Sequence, residues 1–437
     1  MKSSERLAIA YDVGTTTIAA SLVNPADGGR LAVAGSLNPQ REFGADVVSR
    51  LDAACSSPEN LKRMARLIND ELERLADELL SAAGASSRNL ATIAIAGNPA
   101  MEHLILELPV TSLAYPPYRP LFTAGRTVKT TALGWKTVHD AFLYPLPGGF
   151  VGGDLVAFLY DAGVADPRSL QAPEGPVPLG PGGSGPRLFL DMGTNGELAL
   201  ITGSGIFATS AAAGPAFEGG NLSCGMAALP GAISQVKIEA DGVKTTTIGG
   251  APPVGICGSG VIEAVAGLLR AGVLDTTGRL RSADEISSNL ANRLTTIGGE
   301  TAFILHRDAR GEVYLSQQDI RQVQLAKAAV RAGMEVLFQR ARIRPGELDG
   351  MVLTGSFGSR LEPEGLKNVG IISEIMVEIC SFVSDGAVAG VEKALCTPRG
   401  LEAVDRLAAS IRVVPLSGTP AFEKHFLEQM NFPKPEV

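Results

Sequence analysis

One short pattern, used twice, constrains this chain more than any other feature. Residues 7 to 11 (LAIAY) are apolar, Asp12-Val13-Gly14-Thr15-Thr16-Thr17 interrupts them, and Ile18 to Val23 is apolar again. The spacing predicts a strand, a tight turn and a second strand. Leu188-Phe189-Leu190 later leads into Asp191-Met192-Gly193-Thr194-Asn195-Gly196, and Glu197 to Ile201 resumes the strand, 179 positions on (12 to 191). A hairpin repeated at that distance predicts two similar domains, and 437 residues suffice for two to four packing units at about 100–200 residues each.

Residues 173 to 186 (PEGPVPLGPGGSGP) are dominated by Pro and Gly, which pack poorly as helix or central strand, so this stretch reads as a linker or long surface loop. The first domain then covers 1–172 and the second opens at 187. Pro58-Glu59-Asn60 starts a helix with Leu61, Met64, Ile68, Leu72, Leu75 and Leu79 at steps of three and four, ending at Gly84. Its charged remainder reads as a solvated face. Residues 91 to 96 (ATIAIA) predict a buried strand stopped by Gly97-Asn98-Pro99, with a helix from Ala100. Helical spacing recurs over 261–270 and 320–341, and Gly350 to Leu353 predicts a strand that runs into Thr354-Gly355-Ser356-Phe357-Gly358-Ser359. Strands alternating with helices predict an α/β fold.

Charge and cysteine usage exclude several functions. Acidic residues outnumber basic ones 46 to 38, giving a formal charge of −8, whereas a nucleic-acid reader needs a basic face. Nucleic acid is not an expected partner. Five scattered cysteines and four scattered histidines form neither a disulfide framework nor a zinc spacing. A reducing cytoplasm is the expected location. No run of 18 apolar residues occurs, so no membrane helix is expected, and Asp12 cuts the first apolar run too short for a signal peptide.

The two turns carry the chemistry. In a tight hairpin, Gly14 or Gly193 lets backbone N–H groups converge on one spot, and Thr15, Thr16, Thr17, Thr194 and Asn195 add donors, so each turn can cradle phosphate oxygens. Asp12 and Asp191 repel phosphate but can hold a hydrated Mg²⁺ that neutralises it. A single Asp-x-Gly-Thr is ordinary turn chemistry; two in register between apolar runs point to a phosphate site. Glu197, just past the second turn, either orients the attacking water or faces away. Gly149 to Gly153 is either a plain turn or a site loop, and Asp154 either caps a helix or holds water near nucleotide. Cys224 and Cys257 read as small packing residues.

These turns resemble the actin, sugar kinase and heat-shock chaperone ATPase superfamily. The resemblance implies two ribonuclease-H-like domains around a nucleotide cleft, with Asp12 to Thr17 and Asp191 to Gly196 as phosphate motifs. Gly355, Ser356, Phe357 and Gly358 would form the adenosine motif. Residues 92 to 99 and Ser384 to Gly390 would be the connecting segments, so that domain II covers 187–383 and 384–437 returns to domain I. Nearly the whole chain is similar to the reductive activators of corrinoid proteins. The matching stretches include Asn38-Pro39-Gln40, Phe43 to Arg50, Gly149 to Asp154, Ala213 to Gly219, Ser223 to Met226, Gly255 to Gly260, Gln322 to Ala328 and Phe422 to Pro433. Gly219, Gly220, Gly258 and Ser259 become further nucleotide contacts on this resemblance.

The implied activity is ATP hydrolysis, with Mg²⁺, driving reductive reactivation of a Co(II) corrinoid protein or corrinoid methyltransferase. The family usually carries a ferredoxin-like iron–sulfur domain, and these dispersed cysteines cannot hold a cluster. The expected electron source is therefore a separate low-potential protein, unless the chain is a fragment of a longer one, and self-association into a homodimer stays open. Ala227 and Ser359 stand where the family usually has Arg and Asn. A small-molecule kinase and a chaperone-like ATPase are the alternatives on the same scaffold.

Overall fold

The computed structural model describes residues 6–164, 185–239, 242–355 and 361–434. Most of the Pro/Gly segment, together with Ser356, Phe357 and Gly358, lies outside the described residues. The chain divides into two compact units, one of Met1–Gly182, Ile201–Thr209 and Asp385–Val414, the other of Gly183–Leu200, Ser210–Ser384 and Pro415–Val437.

The first unit is built on β1 (Leu7–Val13), β2 (Thr17–Asn24), β3 (Gly29–Leu37), β4 (Leu90–Gly97), β5 (Arg126–Lys129) and β6 (Asp140–Leu143). Their order is β3-β2-β1-β4-β6-β5. β1 pairs antiparallel with β2 and parallel with β4, and β4 pairs parallel with β6. A strand so placed needs apolar side chains on both faces, which LAIAY supplies; Leu7 to Tyr11 are wholly buried.

The helix Pro58–Ala82 covers one face. Ser57 caps it by accepting from the Glu59 and Asn60 amides, and Pro58 fits the first turn, where no N–H is needed. Met64, Ile68, Leu72, Leu75 and Leu79 are fully buried, each leucine contributing about 1.5–3 kcal/mol. Tyr11 Oη donates to the Leu72 carbonyl at 2.7 Å and locks the helix to β1. The outward face carries Arg74 between Glu71 and Glu78, both at 2.7 Å. Elsewhere in this unit the helix Gly386–Cys396 meets Gly153–Asp161 at Gly390, where an added Cβ would lie 1.8 Å from the Ala157 carbonyl oxygen.

In the second unit, β7 (Arg187–Met192) and β8 (Gly196–Thr202) form the repeated hairpin. β7 lies between β8 and the strand Gly350–Thr354, which in turn pairs with Cys380–Phe382. The pairings from β7 through Gly350–Thr354 to Cys380–Phe382 are parallel. Thus each hairpin's first strand sits between its own second strand and a parallel strand from later in the chain. Two small sheets were not predicted. In one, Ala232–Glu239 pairs with Gly242–Thr247 and Gly255–Ile256; the other is the meander Leu294–Ile297, Glu300–Asp308 and Gly311–Ser316. The long helices are Gly258–Arg270 and Gln317–Ala341, the second opened by a capping box of Ser316 and Asp319. Among the described residues no helix is long and apolar enough to cross a membrane.

Candidate functional site

The first turn is closed by the Gly14 amide donating to the Thr17 carbonyl at 2.9 Å. A Cβ on Gly14 would lie 2.9 Å from that same oxygen, so only glycine fits. Two asparagines buttress the turn. Asn38, fully buried, donates from Nδ2 to the Gly14 carbonyl at 2.9 Å while its Oδ1 accepts from the Gln40 amide at 2.9 Å. Asn98 caps the helix Pro99–Ile105 through Oδ1, accepting from the Met101 amide. That bond turns its Nδ2 toward Thr15, where it donates to Oγ1 at 3.0 Å. Asp12 stands in β1, opposite Ala19 on one side and Ala96 on the other.

Gly149 to Gly153 is more than a plain turn. Added Cβ atoms would lie 1.9 Å from the Tyr118 oxygen at Gly149, 2.4 Å from the Gly97 oxygen at Gly152 and 2.3 Å from Tyr144 Cβ at Gly153. The loop is thereby pressed against the end of β4. Gly152 is the cap of the helix Gly153–Asp161, and Asp154 sits inside its first turn, accepting from the Leu155 amide at 2.8 Å. Glu102 points at the same place: its Oε1 would be 2.6 Å from a Cβ on Gly153. Glu102 is fully buried, and neither oxygen has a hydrogen-bond partner of good geometry. Burial pushes the Glu102 carboxyl well above the usual range, Asp154 adds to this, and the nearby Gly97 amide offsets part of it. Burial also pushes Asp154 up to about 6.

In the second unit the Gly193 amide donates to the Asn195 carbonyl at 3.0 Å. Thr194 is buried, and its hydroxyl donates to Glu218 in a short contact. Glu218 Oε1 would lie 3.6 Å from a Cβ on Gly193, so its carboxylate overhangs the turn. Glu218 belongs to the one-turn helix Pro215–Glu218, which ends at Gly219 with φ +78°. Gly219 is held close, since an added Cβ would meet the Met226 oxygen at 2.2 Å; at Gly258 it would meet the Phe217 oxygen at 1.7 Å. Gly193, Thr194, Glu218, Gly219 and Gly258 are thus tied into one neighbourhood, which begins two residues beyond Asp191.

Other predicted site residues have different surroundings. Ser259 is buried and donates to the Ser234 carbonyl at 2.8 Å, so its hydroxyl is spent on the fold. Glu197 is buried in β8 and accepts from Ser210 Oγ at 3.2 Å. Gly355 ends its strand with φ +142°. Cys257 is buried, as predicted for a packing residue, and Cys224 half-buried.

Glu218, Asn38, Asn98 and Glu102 were not singled out as site residues. The segment Ala213 to Gly219 was visible as a motif, but nothing local marked its glutamate as the partner of Thr194. As for a metal, Mg²⁺ takes hard oxygen ligands, keeps several waters and needs only one or two carboxylates. Asp12 in one unit, and Asp191 with Glu218 nearby in the other, suit that chemistry. Among the described residues no group of three His, Cys, Asp or Glu forms a protein cage.

The chain is similar to the corrinoid activation enzyme RamQ of Eubacterium limosum, with 28% identity over 432 residues, 97% of this chain and 70% of that one. It is also similar to a [Co(II) methylated amine-specific corrinoid protein] reductase of Methanosarcina barkeri, 28% identical over 219 residues, 45% of this chain and 36% of the other. Among solved structures, a reductive activator for corrinoid, iron-sulfur protein superposes with a TM-score of 0.88 at 28% identity, covering 99% of this chain and 67% of that one. The family model described as the RACo middle region matches residues 7–166, and that of the C-terminal domain of RACo, the ASKHA domain, matches residues 185–437. The repeated hairpins and these matches together make the chain a member of the RACo family, with an ASKHA ATPase domain.

Proposed function

We propose that this chain uses ATP to drive the one-electron reduction of a Co(II) corrinoid protein to Co(I), the electron leaving a separate low-potential donor that is oxidised in the same step. The observation that carries the reading is the Asp-x-Gly-Thr hairpin, recurring at the equivalent place in two sheets. Membership of the RACo family and the names of the relatives support the choice of client. Thr15, Thr16, Thr17 and Asn195 contact phosphates, and Gly219, Gly220, Gly258 and Gly355 let backbone approach the nucleotide. Asp12 and Asp191 hold Mg²⁺, which neutralises phosphate charge when bound. Glu218 keeps the Thr194 hydroxyl oriented beside Asp191.

ATP matters because Co(II) reduction is uphill for ordinary donors. Moving a two-state protein from 1:99 to 99:1 takes about 5.5 kcal/mol of differential binding, equivalent to about 240 mV for one electron at about 59 mV per tenfold. Nucleotide-dependent switching is therefore of the right size. The test follows the cobalt spectrum of a corrinoid protein with this chain, an external donor, and either ATP, a non-hydrolysable analogue or no nucleotide. ATP is expected to raise the Co(I) yield, and Asp191→Ala to abolish that gain while leaving the fold intact. Equal yields with and without ATP would reject the activator reading.

A further inference from the structure

Among the described residues Arg50 is the largest side chain that is wholly buried. It lies in the first turn of the helix Val47–Ser56, at the end of the stretch Phe43 to Arg50, which supplies none of the nucleotide contacts above. A charged side chain is almost never fully buried unless it is paired, because an ion taken out of water loses far more solvation than an apolar group does. A cation in the first turn also stands at the helix end whose peptide dipoles repel it.

The partners that the fold supplies leave this charge uncompensated. Arg50 Nε donates to the Gly44 carbonyl at 3.0 Å, Nη1 meets the Met101 sulfur at 3.7 Å, and the buried Nη2 has no hydrogen-bond partner. Among the described residues Asp46 is the carboxylate that acts on it, but the two form no ion pair, and Asp46 is held by the Ser49 amide at 2.8 Å and the Ser49 hydroxyl at 3.0 Å. Burial pushes the guanidinium down to about 10, with Asp46 acting the other way, so Arg50 is still a cation at neutral pH.

Beyond Met101 stands the first turn. The Met101 sulfur also receives Asn38 Nδ2 at 3.4 Å, and the same Nδ2 donates to the Gly14 carbonyl at 2.9 Å. These contacts put Arg50 Nη1 no more than about 10 Å from the Gly14 oxygen, close to the screening length of about 8–10 Å in salt solution. Met101 and Asn38 are fully buried and uncharged, so neither solvent nor an opposite charge lies along that path to weaken the field.

We propose that Arg50 is the buried counter-charge of the first phosphate turn: it touches no ligand, and its guanidinium offsets the negative charge that nucleotide phosphates bring to Gly14 to Thr17. The inference rests on the nucleotide reading of that turn. Arg50 acts across Met101 and Asn38 and is a positioning residue, not a contact. Arginine suits the role because its guanidinium is weakly hydrated and keeps its charge when buried, whereas a buried lysine loses its proton more readily.

The test titrates a non-hydrolysable ATP analogue, ADP and adenosine, each with Mg²⁺ present, into the full chain by calorimetry. Arg50→Gln is expected to weaken the ATP analogue about tenfold, ADP by less and adenosine not at all, since the lost attraction grows with phosphate charge. Arg50→Lys is expected to fall between wild type and Arg50→Gln. Should Arg50→Gln fail to fold, Arg50→Lys carries the same test through a loss larger for the ATP analogue than for ADP. A residue that only held the fold together would weaken all the nucleotides by one factor. That equal loss, an unchanged affinity for the ATP analogue in Arg50→Gln, or a lysine variant no better than the glutamine one overturns the proposal. Wild type that binds neither the ATP analogue nor ADP rejects the nucleotide reading as well, whereas wild-type binding that Arg50→Gln leaves intact rejects the counter-charge alone.

Discussion

Replacing Glu102 by glutamine should stabilise the protein, and increasingly so as pH rises. Glu102 is fully buried without a good hydrogen-bond partner, and its carboxyl is pushed well above its ordinary 4.5, first by burial and then by Asp154. The folded state therefore keeps a proton that the unfolded chain releases above pH 4.5. For a raised carboxyl the stability is complete below the unfolded value and falls as pH climbs toward the folded one. The loss is about 1.4 kcal/mol per pH unit while the buried group stays protonated. Glutamine has the same shape and no proton to lose. Urea unfolding of wild type and Glu102→Gln at pH 5, 6, 7 and 8 is expected to give nearly equal midpoints at pH 5 and a widening advantage for the variant above it. Asp154, pushed up to about 6 from 3.8, adds its own loss of stability between those values. A difference that stays flat with pH, or a variant less stable at pH 8, would refute the claim that Glu102 is buried as a neutral acid.

Two further changes probe the backbone around each turn. Gly258→Ala puts a Cβ 1.7 Å from the Phe217 oxygen, a backbone clash expected to exceed the about 1–3 kcal/mol of ordinary overpacking; an unchanged melting temperature would contradict the close approach. Asn38→Ala strips the Gly14 carbonyl and the Gln40 amide of their partner and should cost about 1–3 kcal/mol in denaturant unfolding, whereas a loss below about 0.5 kcal/mol would mean water replaces the amide.

What could be read from sequence was what repeats locally. The hairpins announced themselves because an apolar strand, an Asp and a Gly turn occupy consecutive positions, and the helix Pro58–Ala82 because leucines recur every three or four residues. The small sheets escaped because strands such as Gly242–Thr247 and Leu294–Ile297 bury little and so lack an apolar alternation. The site's supports escaped for a different reason. Asn38 reaches Gly14 and Glu218 reaches Thr194 across 24 positions each, Asn98 reaches Thr15 across 83, and no short window contains both members of such a pair. Asp154 was weighed as a helix cap; Gly152 takes that position instead because any Cβ there would strike the Gly97 oxygen.

The two turns look interchangeable in sequence, but their hydroxyls are set differently. A threonine hydroxyl has one hydrogen to give and two lone pairs. Thr15 accepts from Asn98, whose orientation is fixed by the cap bond to Met101, so its hydrogen is directed elsewhere and suits an anionic oxygen. Thr194 gives its hydrogen to Glu218, so that hydrogen is committed to a carboxylate. Neutral amides support the first turn and a carboxylate supports the second. The asymmetry means that the two copies of the motif, alike in sequence, are set in different polar surroundings: at Thr15 the hydroxyl accepts from an amide, and at Thr194 it donates to a carboxylate.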